Sequence, residues 1–156
     1  MRLGELIDER SIDMFLEPTD KESVIEALIT RLSEQKLIPE HQNVLDAVLE
    51  RERALSTGVG QGVAVPHATV EVLDKAIVAF GRSEKGIEFG ALDGKPVNLI
   101  FLLLAPAKEI SLHLKLLSRV SRLCNRPEFR DELLASDNPV GVREVIRKFE
   151  AELQEF

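Results

Sequence analysis

Two hydrophobic periods alternate along this chain. Ile12, Met14 and Leu16 alternate with Asp13, Phe15 and Glu17, which predicts a short strand ended by Pro18. Before it, Leu3 to Asp8 has room for one helical turn. Thr19-Asp20-Lys21-Glu22 has the form of a capping box, with Thr19 as N-cap and Glu22 at the third helical position. The helix that follows carries Val24, Leu28 and Leu32 in one row with Ile25 and Ile29 beside them, a core-facing stripe. Pro39 suits the first position of a second helix, whose inner face holds Val44, Leu45, Val48 and Leu49. Arg51 and Arg53 fall at its end, where cations complement the helix dipole, so capping is their ordinary reading. Residues 63–65, 76–80 and 97–104 predict three strands. The last is the most apolar and central, and Pro106 ends it. Residues 68–74 read as a polar connection, 83–91 as irregular, and Asp93-Gly94 as a turn. Three helices follow. The first spans Glu109 to Asn125, with Leu114, Leu117 and Cys124 on the face that holds His113. The second opens at Pro127 and buries Phe129, Leu133 and Leu134. The third is capped by Asn138 with Pro139 behind it, and carries Val142, Val145, Ile146 and Phe149. A few strands with helices before and after them predict an α/β fold, with a small mixed sheet covered on both faces.

Composition narrows the function classes. A chain of 156 residues, 44% hydrophobic and 30% charged, is sized for one compact domain over 1–156. Its net charge of −7, with no long basic cluster, argues against nucleic-acid binding. One cysteine, Cys124, excludes an internal disulfide and fits a reducing compartment. The charged start MRLGELIDER does not suit a signal peptide, and the longest apolar run, Leu99 to Ala105, falls far short of the roughly 20 residues a membrane helix needs. A cytoplasmic protein without membrane insertion is the expectation.

The chemistry concentrates in Ser56 to His67, STGVGQGVAVPH. Gly58, Gly60 and Gly62 stand at alternate positions, a short apolar run follows, and Pro66 stiffens the backbone before His67. A helix precedes these glycines and a strand follows them, the reverse of a dinucleotide fingerprint. No metal-ligand spacing links His41, His67 and His113, and no cofactor is expected. Cys124 lies on an apolar helix face and reads as core. On pattern alone His113 reads the same way, whereas the backbone around His67 is arranged for presentation. A neutral imidazole, with an ordinary pKa of about 6.5, is a good nucleophile and can take a phosphoryl group directly. It needs one ring nitrogen held as N–H and donors around the phosphate oxygens. Loop amides, the Ser56 and Thr57 hydroxyls, Arg51 and a second histidine could serve. Two other readings stay open: an interaction module with an apolar patch at Val63 and Val65, and a metal hydrolase using His67 and His113.

This stretch resembles the phosphorylation-site motif of enzyme IIA of the phosphoenolpyruvate-dependent phosphotransferase system, in its fructose/mannitol and nitrogen-regulatory group. Leu49-Glu50-Arg51-Glu52, Leu92-Asp93-Gly94-Lys95-Pro96-Val97, Phe101-Leu102-Leu103-Leu104-Ala105-Pro106 and His113-Leu114 extend the resemblance over almost the whole chain. It implies a three-layer α/β/α sandwich. It also implies that His67 accepts a phosphoryl group through Nε2 from an HPr-like carrier, that Arg51 neutralises it and that His113 supports the transfer. Ser56, Thr57, Gly58, Gly60 and Gly62 would form the phosphate loop, the glycines keeping the surface around His67 open. Phosphate would pass to an enzyme IIB or signal to a regulatory target. The free-standing size resembles the nitrogen-regulatory form, with a fructose- or mannitol-type enzyme IIA as the alternative.

Overall fold

The computed structural model describes residues 2–153, so the outermost ends of the expected 1–156 domain lie outside the described residues. The elements run α1 (Leu3–Leu6), β1 (Ile7–Asp13), α2 (Lys21–Glu34), α3 (His41–Ala54), β2 (Gly58–Gly60), β3 (Val63–Ala64), β4 (His67–Val70), β5 (Ile77–Ile87), β6 (Val97–Pro106), α4 (Ile110–Cys124), α5 (Pro127–Ala135) and α6 (Pro139–Glu150). The strands form one six-stranded sheet in the order β1-β5-β6-β3-β2, with β4 also paired to β6. β5 runs antiparallel to β6, while β1 is parallel to β5 and both β3 and β4 are parallel to β6.

Strand alternation divides the core in two. Val78, Phe80, Leu99, Phe101 and Leu103 meet α4, α5 and α6 through Leu116, Val120, Phe129, Leu133, Ile146 and Phe149. Ala79, Ile100, Leu102 and Leu104 meet α2 and α3 through Ile25, Leu28, Ile29, Val44 and Val48 on the opposite face. Apolar residues on both faces of β5 and β6 require a helical cover on each side. The result is the expected three-layer α/β/α sandwich.

Several local expectations are corrected. Ile12, Met14 and Leu16 are buried as their alternation requires, but sheet pairing covers Ile7–Asp13 and stops where the Asp13 carboxylate accepts the Phe15 amide. The N-cap of α2 is Asp20, whose carboxylate accepts the Ser23 amide at 3.0 Å. The Thr19 carbonyl instead accepts the Glu88 amide, which fixes Thr19 just beyond the end of β5. Pro39 precedes α3 by two residues, because Glu40 takes a left-handed turn with φ 50 before the helix begins. β5 continues through the polar stretch to Ile87, with an irregularity after Arg82 that Gly86 permits at φ 89. On α4 Leu116 is buried with Val120, Leu123 and Cys124, and Leu114 is exposed, as is Leu134 on α5. Asn138 caps α6 as expected, accepting the Gly141 amide at 2.8 Å.

The two ends of the fold are tied together. Glu150, 1% exposed, accepts the amides of Leu3 and Gly4 and lies 3.6 Å from Arg119.

Candidate functional site

Residues 68–74 do not form a simple connection, because β4 starts at His67. β3 pairs Val63 with Leu99 and Ala64 with Ile100, and β4 pairs His67 with Leu103 and Ala68 with Leu104. The register is unchanged across the gap, so β3 and β4 are one strand interrupted at Val65-Pro66. Pro66 has no N–H to give the ladder, yet its carbonyl still accepts the Leu103 amide at 3.0 Å. His67 is therefore held on the sheet itself, beside the most buried strand.

The interruption orients the imidazole. His67 Nδ1 lies 2.7 Å from the Val65 carbonyl. A carbonyl only accepts, so Nδ1 carries the proton and Nε2 keeps a free lone pair. Burial lowers the His67 pKa from its ordinary value; the Val65 carbonyl opposes this, Arg51 adds to it and Glu52 opposes it. The ring is neutral at pH 7.

Three elements converge on His67. Ala47, Glu50, Arg51 and Ala54 of α3, residues 67–69 of β4, and Ile110, His113, Leu114 and Leu117 of α4 line one open cleft. The rings of His67 and His113 stand 5.3 Å apart, tilted by 47°. His113 is only 7% exposed, and its Nδ1 is buried without a hydrogen-bond partner. Burial first, then the neighbouring His67 and Arg51, pull its pKa down to about 4, so it too is neutral at pH 7. Arg51 donates to the Leu55 carbonyl at 3.1 Å, closing the end of α3. It thus caps the helix and also lines the cleft. Arg53 pairs with Glu22 and lies outside the cleft. The cleft combines a neutral nucleophilic nitrogen, a fixed guanidinium and a second neutral imidazole, a set that suits a transferring anion.

The other expected residues lie elsewhere. Ser56 donates to the Phe89 carbonyl and accepts the Gly58 amide. Thr57 is buried and gives both its amide and its hydroxyl to Glu52. Gly58 and Gly60 sit in the β2–β3 hairpin, where a Cβ on Gly58 would come within 2.9 Å of the Ala91 backbone. Gly60 and Gly62 take φ of 97 and 79, which residues with side chains rarely adopt. None of these five lines the cleft. Val63 and Val65 are 1% and 8% exposed, so they cannot form an interaction patch; the exposed apolar side chains beside His67 are Ile110 and Leu114. Cys124 is buried, its thiol pushed up to about 12 by burial. Among the described residues there is no group of three or more His, Cys, Asp or Glu that could hold a metal, and no helix is long and apolar enough to cross a membrane.

Sequence reasoning missed Glu52. It continues the Val44–Val48 row at helical spacing, so a carboxylate on the buried stripe was the available signal.

Comparison with known proteins shows the family and the fold. A family profile described as "Phosphoenolpyruvate-dependent sugar phosphotransferase system, EIIA 2" matches residues 5–149. The chain is 37% identical over 95% of its length to a PTS system fructose-specific EIIABC component of Bacillus subtilis, spanning 23% of that longer protein. It is 39% identical over 83% of its length to a PTS system fructose-specific EIIA component of Haloferax volcanii, covering 84% of it. It is 33% identical over 94% of its length to a nitrogen regulatory protein of Bradyrhizobium diazoefficiens, covering 95% of it. Among solved structures, nitrogen regulatory protein IIA-Ntr from Neisseria meningitidis superposes with a TM-score of 0.85 at 33% identity, over 92% of this chain and 97% of that one.

Proposed function

We propose that this chain, which belongs to the phosphoenolpyruvate-dependent sugar phosphotransferase system EIIA 2 family, is a cytoplasmic histidine phosphocarrier loaded at His67 by an HPr-like protein. The supporting observation is the 2.7 Å contact that commits His67 Nδ1 to the Val65 carbonyl. The free Nε2 lone pair attacks the donor's phosphohistidine phosphorus. A P–N bond forms at Nε2 as the donor's P–N bond breaks, and the donor ring leaves with its electron pair. Positive charge that builds on the His67 ring is stabilised through the Nδ1–H bond to Val65. Arg51 neutralises the oxygens in transit, and His113, as a neutral ring, adds a hydrogen-bond partner without another positive charge. Positioning and charge neutralisation dominate phosphoryl transfer, so these roles account for the residue set. Ser56, Thr57 and the glycines act at one remove, by building the hairpin that leads to His67.

The carrier's role is regulation, in the manner of the nitrogen-regulatory relatives, whose solved fold superposes over nearly the whole chain. A second reading, transfer to an enzyme IIB for sugar uptake, is favoured by the fructose-specific relatives, which are 37% and 39% identical over 95% and 83% of this chain. Incubation with phosphoenolpyruvate, enzyme I and a cognate HPr tests the carrier chemistry. The expected product is one acid-labile, alkali-stable phosphate, absent from His67→Ala. Label retained by His67→Ala refutes the site. Rapid chase of the label onto a fructose-type enzyme IIB would select the transport reading.

A further inference from the structure

We propose that Glu52 is a positioning residue for His67, acting through a chain of hydrogen bonds from the buried end of α3 to the phosphoacceptor ring. The inference rests on the phosphocarrier reading and assigns a task to a side chain that lies outside the cleft. Glu52 is 2% exposed on a helix whose other buried side chains are apolar. A buried carboxylate is costly unless its oxygens are satisfied. Its partners are specific. Oε2 accepts the Thr57 amide at 2.8 Å and lies 3.5 Å from Lys21 Nζ, while Oε1 accepts the Thr57 hydroxyl in a short hydrogen bond. Both donors of Thr57 are thereby fixed. The Thr57 carbonyl then accepts the Val65 amide at 3.0 Å. The next carbonyl along, that of Val65, takes His67 Nδ1–H. Four residues thus form one relay: Glu52, Thr57, Val65 and His67.

The relay explains a local oddity. Val65 lies in the gap where the β3–β4 strand is interrupted, so its backbone is not held by β6. What fixes Val65 is its bond to Thr57, and what fixes Thr57 is Glu52. Without this support the Val65 carbonyl loses its fixed aim, and the imidazole is free to place its proton on Nε2, which abolishes the nucleophile. Glu52 also opposes the depression of the His67 pKa, so its removal changes a titration as well as an orientation.

The experiment uses the full chain as Glu52→Gln, Thr57→Val and Thr57→Ser, with nitrogen-detected NMR of the histidine rings beside the phosphorylation assay. Wild type is expected to show His67 as the Nδ1–H tautomer. Glu52→Gln and Thr57→Val should populate the Nε2–H tautomer and slow transfer at saturating donor by about tenfold or more, the scale on which outer groups that orient ligand histidines act. KM for the donor should stay unchanged, and Thr57→Ser should restore the wild-type tautomer and rate. Glu52→Gln should also lower the His67 pKa. Thr57→Val keeps Glu52, so it tests the relay even if Glu52→Gln fails to fold. An unchanged tautomer and rate in a folded variant overturns the proposal. If wild type takes no phosphate, the carrier reading fails, and the tautomer data still decide whether the relay orients His67.

Discussion

Acidification should weaken this fold through His113, and the size of the effect can be worked out. In the unfolded chain the imidazole titrates near 6.5, and in the folded chain near 4, because its charged form is buried beside His67 and Arg51. The folded state thus excludes a proton that the unfolded state binds. A depressed histidine pKa costs nothing above 6.5, and stability is lost as pH falls from 6.5 towards 4. At pH 5 the unfolded ring is almost fully protonated and the folded ring almost fully neutral, so linkage gives a loss of about 2 kcal/mol relative to pH 7. For a chain of this length that corresponds to about 5 °C in Tm. His67, also depressed, adds to the loss with the same sign. Asp8, held at about 2 against an ordinary value of 3.8, titrates below this window. The perturbation is His113→Gln, which removes the titrating ring and retains a polar side chain. Urea unfolding of both proteins at pH 7 and pH 5 measures the difference. Wild type should lose about 2 kcal/mol more than the variant between the two pH values. Equal losses would refute the idea that burial holds His113 neutral.

Three further outcomes are expected. Arg51→Ala should slow phosphoryl transfer by about 10²–10³-fold, the scale of one lost charge-stabilising donor. It should cost only about 1 kcal/mol of stability, since one hydrogen bond at the end of α3 is lost; a collapse of Tm in thermal melts would assign Arg51 to the fold alone. Gly81→Ala should destabilise by about 1–3 kcal/mol in urea titrations, because a Cβ there would meet Leu16 Cδ1 at 2.5 Å in the sealed core; phosphorylation of the folded fraction should be unaffected. Loading His67 with phosphate should raise the His113 pKa in an NMR titration, since a dianion replaces a neutral neighbour; an unmoved value would mean that the two rings do not share the site.

The layers of the fold were legible because burial writes a period into the chain. The rows Val24–Leu28–Leu32 and Val44–Val48 gave two helices, and the apolar run from Val97 gave the central strand. Errors arose where tertiary contacts override a local rule. Thr19 lost the cap to Asp20 because its own carbonyl pairs with Glu88. Residues 67–70 form a strand because β6 offers an unpaired edge in continuous register, which no local pattern records. Leu114 and Leu116 cannot be told apart by hydrophobicity, yet a difference of two helical positions turns the side chain to another face. At the site, the glycines and Pro66 pointed to His67 from residue chemistry alone. Arg51 and a second histidine were open candidates on residue chemistry, and only the family resemblance gave Arg51 and His113 their roles, since nothing in spacing joins positions so far apart. The two readings of Arg51 also proved compatible: it lines the cleft from the helix end that it caps.

The carboxylate of Glu150 has a consequence for how the chain is made. Its bonds to Leu3 and Gly4 span 147 and 146 positions. Synthesis proceeds from the amino end, so during translation the amides of Leu3 and Gly4 wait without this acceptor until residue 150 has left the ribosome. The opening turn can pack beside β1 before then, but it is latched only by the closing helix. Completion of this fold is therefore timed by its last turn. A ribosome stalled within α6 would hold a chain whose beginning is still unfastened.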